Sequence, residues 1–263
     1  MARPFSRLFA ALLALLLVPA LAGATRPRPT IVVLQLNLCN SGISGCFTNR
    51  AVPQAAELIR AYAPDVVTLN EVCRADVVAL ANVYPAGTVV PAFQSAPDRR
   101  TGGGTECLNG QQFGIGVIVR AGNESTIDGG IYPVQDVTDP EIRAWLCVSA
   151  AVVACTAHLA STSRTVAIEQ CRELFAGIVP RQRGDTTAIV AGDLNLRDPD
   201  VRSCVPRDYV RTSDGDVQYV LATDATAVLT RQVFDMRGTT DHPALLVVLT
   251  IPAFSAEPPS MSP

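Results

Sequence analysis

The chain has 263 residues, 48% of them hydrophobic, and a formal net charge of −3, enough for one large domain and small for two. Every cation is arginine, and the mildly acidic balance excludes a surface that holds polyanions passively, so any contact with nucleic acid must be local. Eight cysteines but only two histidines, with no CxxC pair, exclude zinc-knuckle chemistry.

Residues 1–24 combine Arg3 and Arg7 with an apolar stretch that closes on Ala22-Gly23-Ala24. That is the pattern of a secretory signal peptide, and the stretch is short for a membrane anchor. The expected product is a secreted protein without a transmembrane anchor. An even cysteine count in an exported chain implies up to four disulfides, with Cys39–Cys46 and Cys147–Cys155 close enough in sequence to be local bridges.

Segment 30–39 reads as a buried strand, 51–64 as a helix closed by Pro64, and 65–71 as a second strand. This βαβ rhythm belongs to a sheet with parallel neighbours. A helix follows Cys73. Residues 95–111 are a loop whose run of three glycines, 102–104, lacks the GK[ST] of a phosphate loop. Strand 113–121, a hairpin over 145–159, a helix over 163–179 with Ser163 as its N-cap, and strands 186–193, 217–223, 227–235 and 244–251 complete the set. One α/β domain over 25–251 is expected, followed by a disordered proline-rich tail, 252–263.

Polar residues collect at the strand ends: Asn37, Glu71, His158, the pair Asp193 and Asn195, and the pair Asp241 and His242. Both histidines of the chain belong to this set. Ligands of α/β sheets bind in the crevice at strand ends. Three carboxylates and two amides form an oxygen-rich set suited to Mg²⁺, Mn²⁺ or Ca²⁺. Asp193 and Asn195, two apart on extended backbone, would share a face and address one phosphate.

The segments "LQLNL", "DVVTLNEVC", "TAHL", "AGDLNLR" and "DHPAL", in this order from residue 34 to 246, resemble the motifs of the endonuclease/exonuclease/phosphatase superfamily, whose members include pancreatic-type deoxyribonuclease. The resemblance implies a four-layer α/β sandwich of two packed mixed β-sheets flanked by helices. It implies metal binding by Asn37, Glu71 and Asp241, contact of His158 with the scissile phosphate, orientation of nucleophile and phosphate by Asp193 and Asn195, and a general-base role for His242. Three positions depart from the family pattern: Asn70 stands where a Gln is usual, Ile115 where an Asn is common, and Gln218 where an Asp would orient the terminal His. The implied function is a divalent-metal-dependent phosphodiesterase, with DNA or RNA as substrate and Arg143, Arg197, Arg99 and Arg100 as candidate phosphate contacts. The alternatives are a phospholipid or sphingomyelin phosphodiesterase, a phosphomonoesterase, and a binding module with a weakened site. The lone Trp145, placed in a strand, speaks against a membrane-facing enzyme. A monomer is expected.

Overall fold

The computed structural model describes residues 29–184, 186–223 and 227–251; the signal peptide and the tail expected at the two ends lie outside these. In chain order the elements are β1 (Thr30–Asn37), α1 (Ala51–Tyr62), β2 (Val66–Cys73), α2 (Arg74–Ala81), β3 (Val89–Ser95), β4 (Phe113–Arg120), β5 (Thr126–Ile131), β6 (Ala144–Ser149) and β7 (Val153–Ala157). Then come α3 (Arg164–Glu173), which passes through a π-helical turn, Leu174–Ile178, into α4 (Val179–Arg183), β8 (Ala188–Asp193), α5 (Asp200–Cys204), β9 (Tyr209–Ser213), β10 (Gln218–Thr223), β11 (Ala227–Phe234) and β12 (Ala244–Thr250).

The strands form two six-stranded sheets, β11-β12-β1-β2-β4-β3 and β5-β6-β7-β8-β10-β9. Each has one parallel pair at its centre, β1 with β2 and β7 with β8, and antiparallel neighbours elsewhere. A parallel pair needs a crossover, and α1 and the α3–α4 helix supply it, one for each sheet.

Strand alternation divides the apolar residues into three layers of core. Ile31, Val33, Val66, Val117, Leu146, Ile189, Val220 and Val247 meet between the sheets. Leu34, Leu36, Val67 and Leu69 face the other way onto Ile59 and Leu80 of α1 and α2. Cys155, Val190 and Leu221 pack on Leu174, Phe175 and Ile178. The result is the four-layer α/β sandwich expected from the motifs. Ser163 caps α3, accepting from Val166 N–H at 3.4 Å. Trp145 is buried in the core of the second sheet. Among the described residues no helix is long and apolar enough to cross a membrane.

All eight cysteines are paired, Cys39–Cys46, Cys73–Cys107, Cys147–Cys155 and Cys171–Cys204. The first closes the loop after β1, and the second ties the 95–111 loop to the end of β2. The third joins directly paired positions of β6 and β7. The fourth ties α3 to α5.

Candidate active site

Between the sheets, one row of inward-facing residues changes character toward one end of the sandwich. On β1, Ile31 and Val33 give way to Gln35 and Asn37; on β2, Val66 gives way to Thr68 and Asn70. On β8, Ile189 and Ala191 lead to Asp193; on β10, Val220 leads to Gln218; beyond β7, Thr156 leads to His158. Because the side-chain period is two, all of these groups point into the same inter-sheet space. The parallel strands β1, β2, β7 and β8 all end here, which is the end of a sheet where ligands bind.

Buried amides must be hydrogen-bonded, and here they bond across the sheets. Asn70 Nδ2 donates to Ala157 O at 3.1 Å, while Asn70 Oδ1 accepts from Asp193 N–H at 2.8 Å and from Gln35 Nε2 at 2.7 Å. Gln35 Nε2 also donates to Gln218 Oε1 at 2.7 Å, and the Thr68 hydroxyl donates to Gln35 Oε1. Gln218 Nε2 donates to Asp193 Oδ2 at 2.8 Å, where Asn37 Nδ2 also donates, at 3.1 Å. The shorter amide at position 70 therefore fits, and it joins the two sheets directly beneath the cleft. Gln35, Thr68 and Thr156 were not anticipated, since they sit inside strands whose neighbours are apolar.

Asn70 and Glu71 are consecutive, so a regular strand would turn them to opposite faces. A register shift between Leu69 and Val72 in the β2–β4 pairing and a left-handed Glu71, φ 55°, bring both into the site. Glu71 Oε1 accepts from Asn37 Nδ2 at 2.8 Å. Burial pushes the Glu71 carboxyl up from its ordinary pKa, and nearby Asp193 and Asp241 push the same way against the bond from Asn37 and the charge of His242. Burial also raises Asp193, opposed by His242 and by its hydrogen bonds.

Asn37 presents its nitrogen to both carboxylates, because its Oδ1 accepts from Cys39 N–H at 3.2 Å. It bridges Glu71 and Asp193, so the metal-ligand role expected of its oxygen is not the one this geometry gives. Asp193 and Asn195 both line the cleft, although not by strand alternation. The strand ends at Asp193, Asn195 is left-handed at φ 49°, and its N–H donates to Asp193 Oδ1 at 3.0 Å. Its side chain is held by Leu159 O at 2.9 Å. Gly192 is required, since a Cβ there would collide with the Ala157 carbonyl of neighbouring β7.

His158 Nδ1 lies 3.0 Å from Nη1 of Arg143, which is itself buried and paired with Asp139 at 2.7 Å and Glu141 at 3.2 Å. Burial holds the His158 imidazole far below its usual pKa, with the Arg143 and His242 charges adding to the effect, so the ring is neutral. Burial also works against the Arg143 charge, but Glu141 and Asp139 outweigh it. Burial drives Glu141 up to about 7, with Arg143 opposing and Glu71 and Asp139 reinforcing. The sequence "DPEIR" gave no strand-end signal for Asp139 and Glu141. His242 Nε2 lies 3.6 Å from Asp193 and 3.9 Å from Asp241, and its Nδ1 is 3.4 Å from Gln218 Nε2. Position 218 thus does face His242. Its oxygen is turned away from the ring and accepts from Gln35 Nε2 at 2.7 Å.

These groups surround a cleft of about 340 Å³ lined by Glu71, Arg143, His158, Asp193, Asn195 and His242, with Ser41, Ile43 and Phe113 on its walls. Ile115 is buried in the inter-sheet core and makes no part of the lining. Arg100 lines the cleft, paired to Asp98 at 2.8 Å. Arg99 bonds to the carbonyls of Asp136 and Asp139. Arg197 is exposed, paired with Asp216, and outside the lining. Glu71, desolvated and in the field of Asp193 and Asp241, suits a hard divalent cation held by Glu71 and Asp241. Asp193 is already bonded at both oxygens. The one cluster of three metal-type ligands within 4.8 Å among the described residues is Cys39, Cys46 and Glu71, and its two sulfurs are spent in a disulfide.

The chain matches the model of the Endonuclease/Exonuclease/phosphatase family over residues 34–242. Among solved structures it is similar to an endonuclease/exonuclease/phosphatase from Beutenbergia cavernae, with TM-score 0.64 and 20% identity over 86% of this chain and 72% of that one. It is also similar to D. rerio TDP2 complexed with single strand DNA product, with TM-score 0.61 and 18% identity over 84% and 99%. A Bacteroides thetaiotaomicron family protein gives TM-score 0.59 and 12% identity over 85% and 98%. No curated protein matches by sequence. At these identities the solved structures speak for the fold alone, and it is the fold found here. With the motif residues gathered at one cleft and the family model spanning most of the chain, the protein belongs to the endonuclease/exonuclease/phosphatase family.

Proposed function

We propose that the protein is a secreted, monomeric, divalent-cation-dependent phosphodiesterase acting on DNA or RNA. One observation carries this reading: the inter-sheet row turns from apolar to polar at a single mouth, placing Glu71, Asp193, Asn195, His158, His242 and Arg143 around one cleft. Members of this family hydrolyse phosphoester bonds, and the TDP2 neighbour holds a single strand DNA product. Four disulfides suit an oxidising destination.

Glu71 and Asp241 would hold Mg²⁺, or Mn²⁺ or Ca²⁺ in its place, and the bound cation would neutralise charge on the phosphate. The chain's own residues do the rest. Arg143 supplies a fixed positive charge that Asp139 and Glu141 keep in place. Asp193, braced by Asn37, Gln218 and the Asn195 N–H, orients the attacking water. Asn70 and Gln35 keep the two sheets in register beneath it, so the groups are preorganised.

A second reading, hydrolysis of a small phosphoester, is favoured by the acidic wall. Asp98, Asp139 and Glu141 line the cleft, and Arg197 is drawn off by Asp216. An activity panel of plasmid DNA, RNA, sphingomyelin and p-nitrophenyl phosphodiesters, with Mg²⁺, Mn²⁺ and Ca²⁺ varied, separates these. Cleavage of DNA or RNA is expected. Turnover of small esters alone selects the second reading, and turnover of none removes both.

A further inference from the structure

The two imidazoles of the cleft are turned the same way. Opposite Nδ1 of His158 stands Nη1 of Arg143, at 3.0 Å, a group that only donates and stands nearer than the Glu141 carboxylate at 3.9 Å, so this ring carries its proton on Nε2. At His242 the same question rests on which end of the Gln218 amide faces the ring. A chain of hydrogen bonds answers it, because it starts from backbone groups whose roles are fixed.

The Asp193 N–H must donate and the Ala157 carbonyl must accept, which sets both ends of Asn70. Asn70 Oδ1 therefore faces Gln35 Nε2, and the same nitrogen donates to Gln218 Oε1. Gln218 is left with its NH₂ group toward Asp193 Oδ2, at 2.8 Å, and toward His242 Nδ1, at 3.4 Å. The groups the described residues place near the Nε2 atoms are acceptors: Asp193 at 3.6 Å and Asp241 at 3.9 Å from His242 Nε2, and Glu71 3.9 Å from His158 Nε2.

We infer that Gln218 is a positioning residue that holds His242 as its Nε2–H tautomer, so that His242, like His158, offers the cleft an N–H donor in place of a lone pair. An Asp at position 218, as the family pattern has it, would accept from Nδ1–H and turn the Nε2 lone pair outward. The Gln reverses that polarity. This deepens the phosphoester reading and depends on it for the target of the donors, the phosphate oxygens. The tautomer itself does not depend on any substrate.

The test is long-range ¹H–¹⁵N NMR of the full chain without substrate, at mildly alkaline pH. Two histidines give two ring patterns, so each can be followed. Both are expected to show a pyridine-type Nδ1 and a pyrrole-type Nε2. Gln218→Glu puts an acceptor where the donor was and is expected to exchange the two assignments in His242 while leaving His158 unmoved. Should that variant not fold, Gln218→Met removes the donor without adding a charge, and His242 should drift toward the averaged shifts of exchanging tautomers. A wild-type His242 protonated at Nδ1, or a His242 pattern indifferent to these substitutions, overturns the inference. Rings with the expected pattern in a protein that cuts no phosphodiester would leave the inference standing and remove only the functional reading.

Discussion

Asn70→Ala tests the amide floor of the site directly. Asn70 is fully buried and makes three strong bonds, to the Ala157 carbonyl, the Asp193 N–H and Gln35. Alanine leaves all three partners short of a bond in a space without bulk water. Each orphaned buried group costs ~1–3 kcal/mol; Gln35 keeps its bond to Gln218, so its share is the smallest. The sum is about 3–5 kcal/mol, a large part of the ~5–15 kcal/mol that holds a typical domain. Guanidinium unfolding with the disulfides intact, compared at equal slope, measures it. Because Asn70 also anchors the Asp193 backbone, turnover should fall at least ~10-fold under conditions where the variant is folded, on the scale of misplaced catalytic groups. A loss below about 1 kcal/mol would show that the sheets are not joined through this amide and would refute the reasoning.

Hydrolysis should vanish in EDTA and return with Mg²⁺, and Glu71→Gln should demand far more cation; full activity in metal-free buffer sinks the metal mechanism. Glu141 gives a pH signature. Its folded pKa is raised from 4.5 to about 7, so its stabilising share is complete below pH 4.5 and is lost as pH climbs through 7. Glu141→Gln should therefore gain on wild type by up to about 3 kcal/mol between pH 4.5 and 8, and equal pH dependence of the two Tm values contradicts it. Alkylation of the unreduced protein should add no mass, since every cysteine is paired; four or more modified thiols would refute the framework. Gly192→Ala should lower Tm and activity together, because the new methyl meets the Ala157 carbonyl; an unchanged Tm would show that β7 and β8 can separate freely.

The buried strands were legible because their β-branched runs stand out, and β1, β2, β4, β8, β10 and β12 fall within two residues of their expected limits. β5 was not, since "TIDGGI" lies on an exposed edge and carries no alternation of apolar and polar residues. β3, β9 and the short α5 were missed for similar want of pattern. At the site, the motif residues announced themselves as polar groups where apolar runs stop. Gln35 and Thr68 did not, being single polar residues inside strands, and their partners stand 183 and 33 positions away. Nor could alternation foresee Glu71, whose bulge re-aims it.

The order of the strands also dictates when the cleft can exist. The second sheet is built from one continuous stretch, β5 to β10, whereas the first takes β1 to β4 from the beginning of the chain and β11 and β12 from its end. Thr30 pairs with Thr250, a closure over nearly the whole length, and such distant pairings form slowly. His242 and Asp241 lie between β11 and β12, so they reach Asp193 only when that closure is made. During synthesis, then, the nascent chain can lay down its second sheet and still hold an open, incomplete cleft. On that order the cleft is complete only when β12 docks beside β1 and carries Asp241 and His242 to their places.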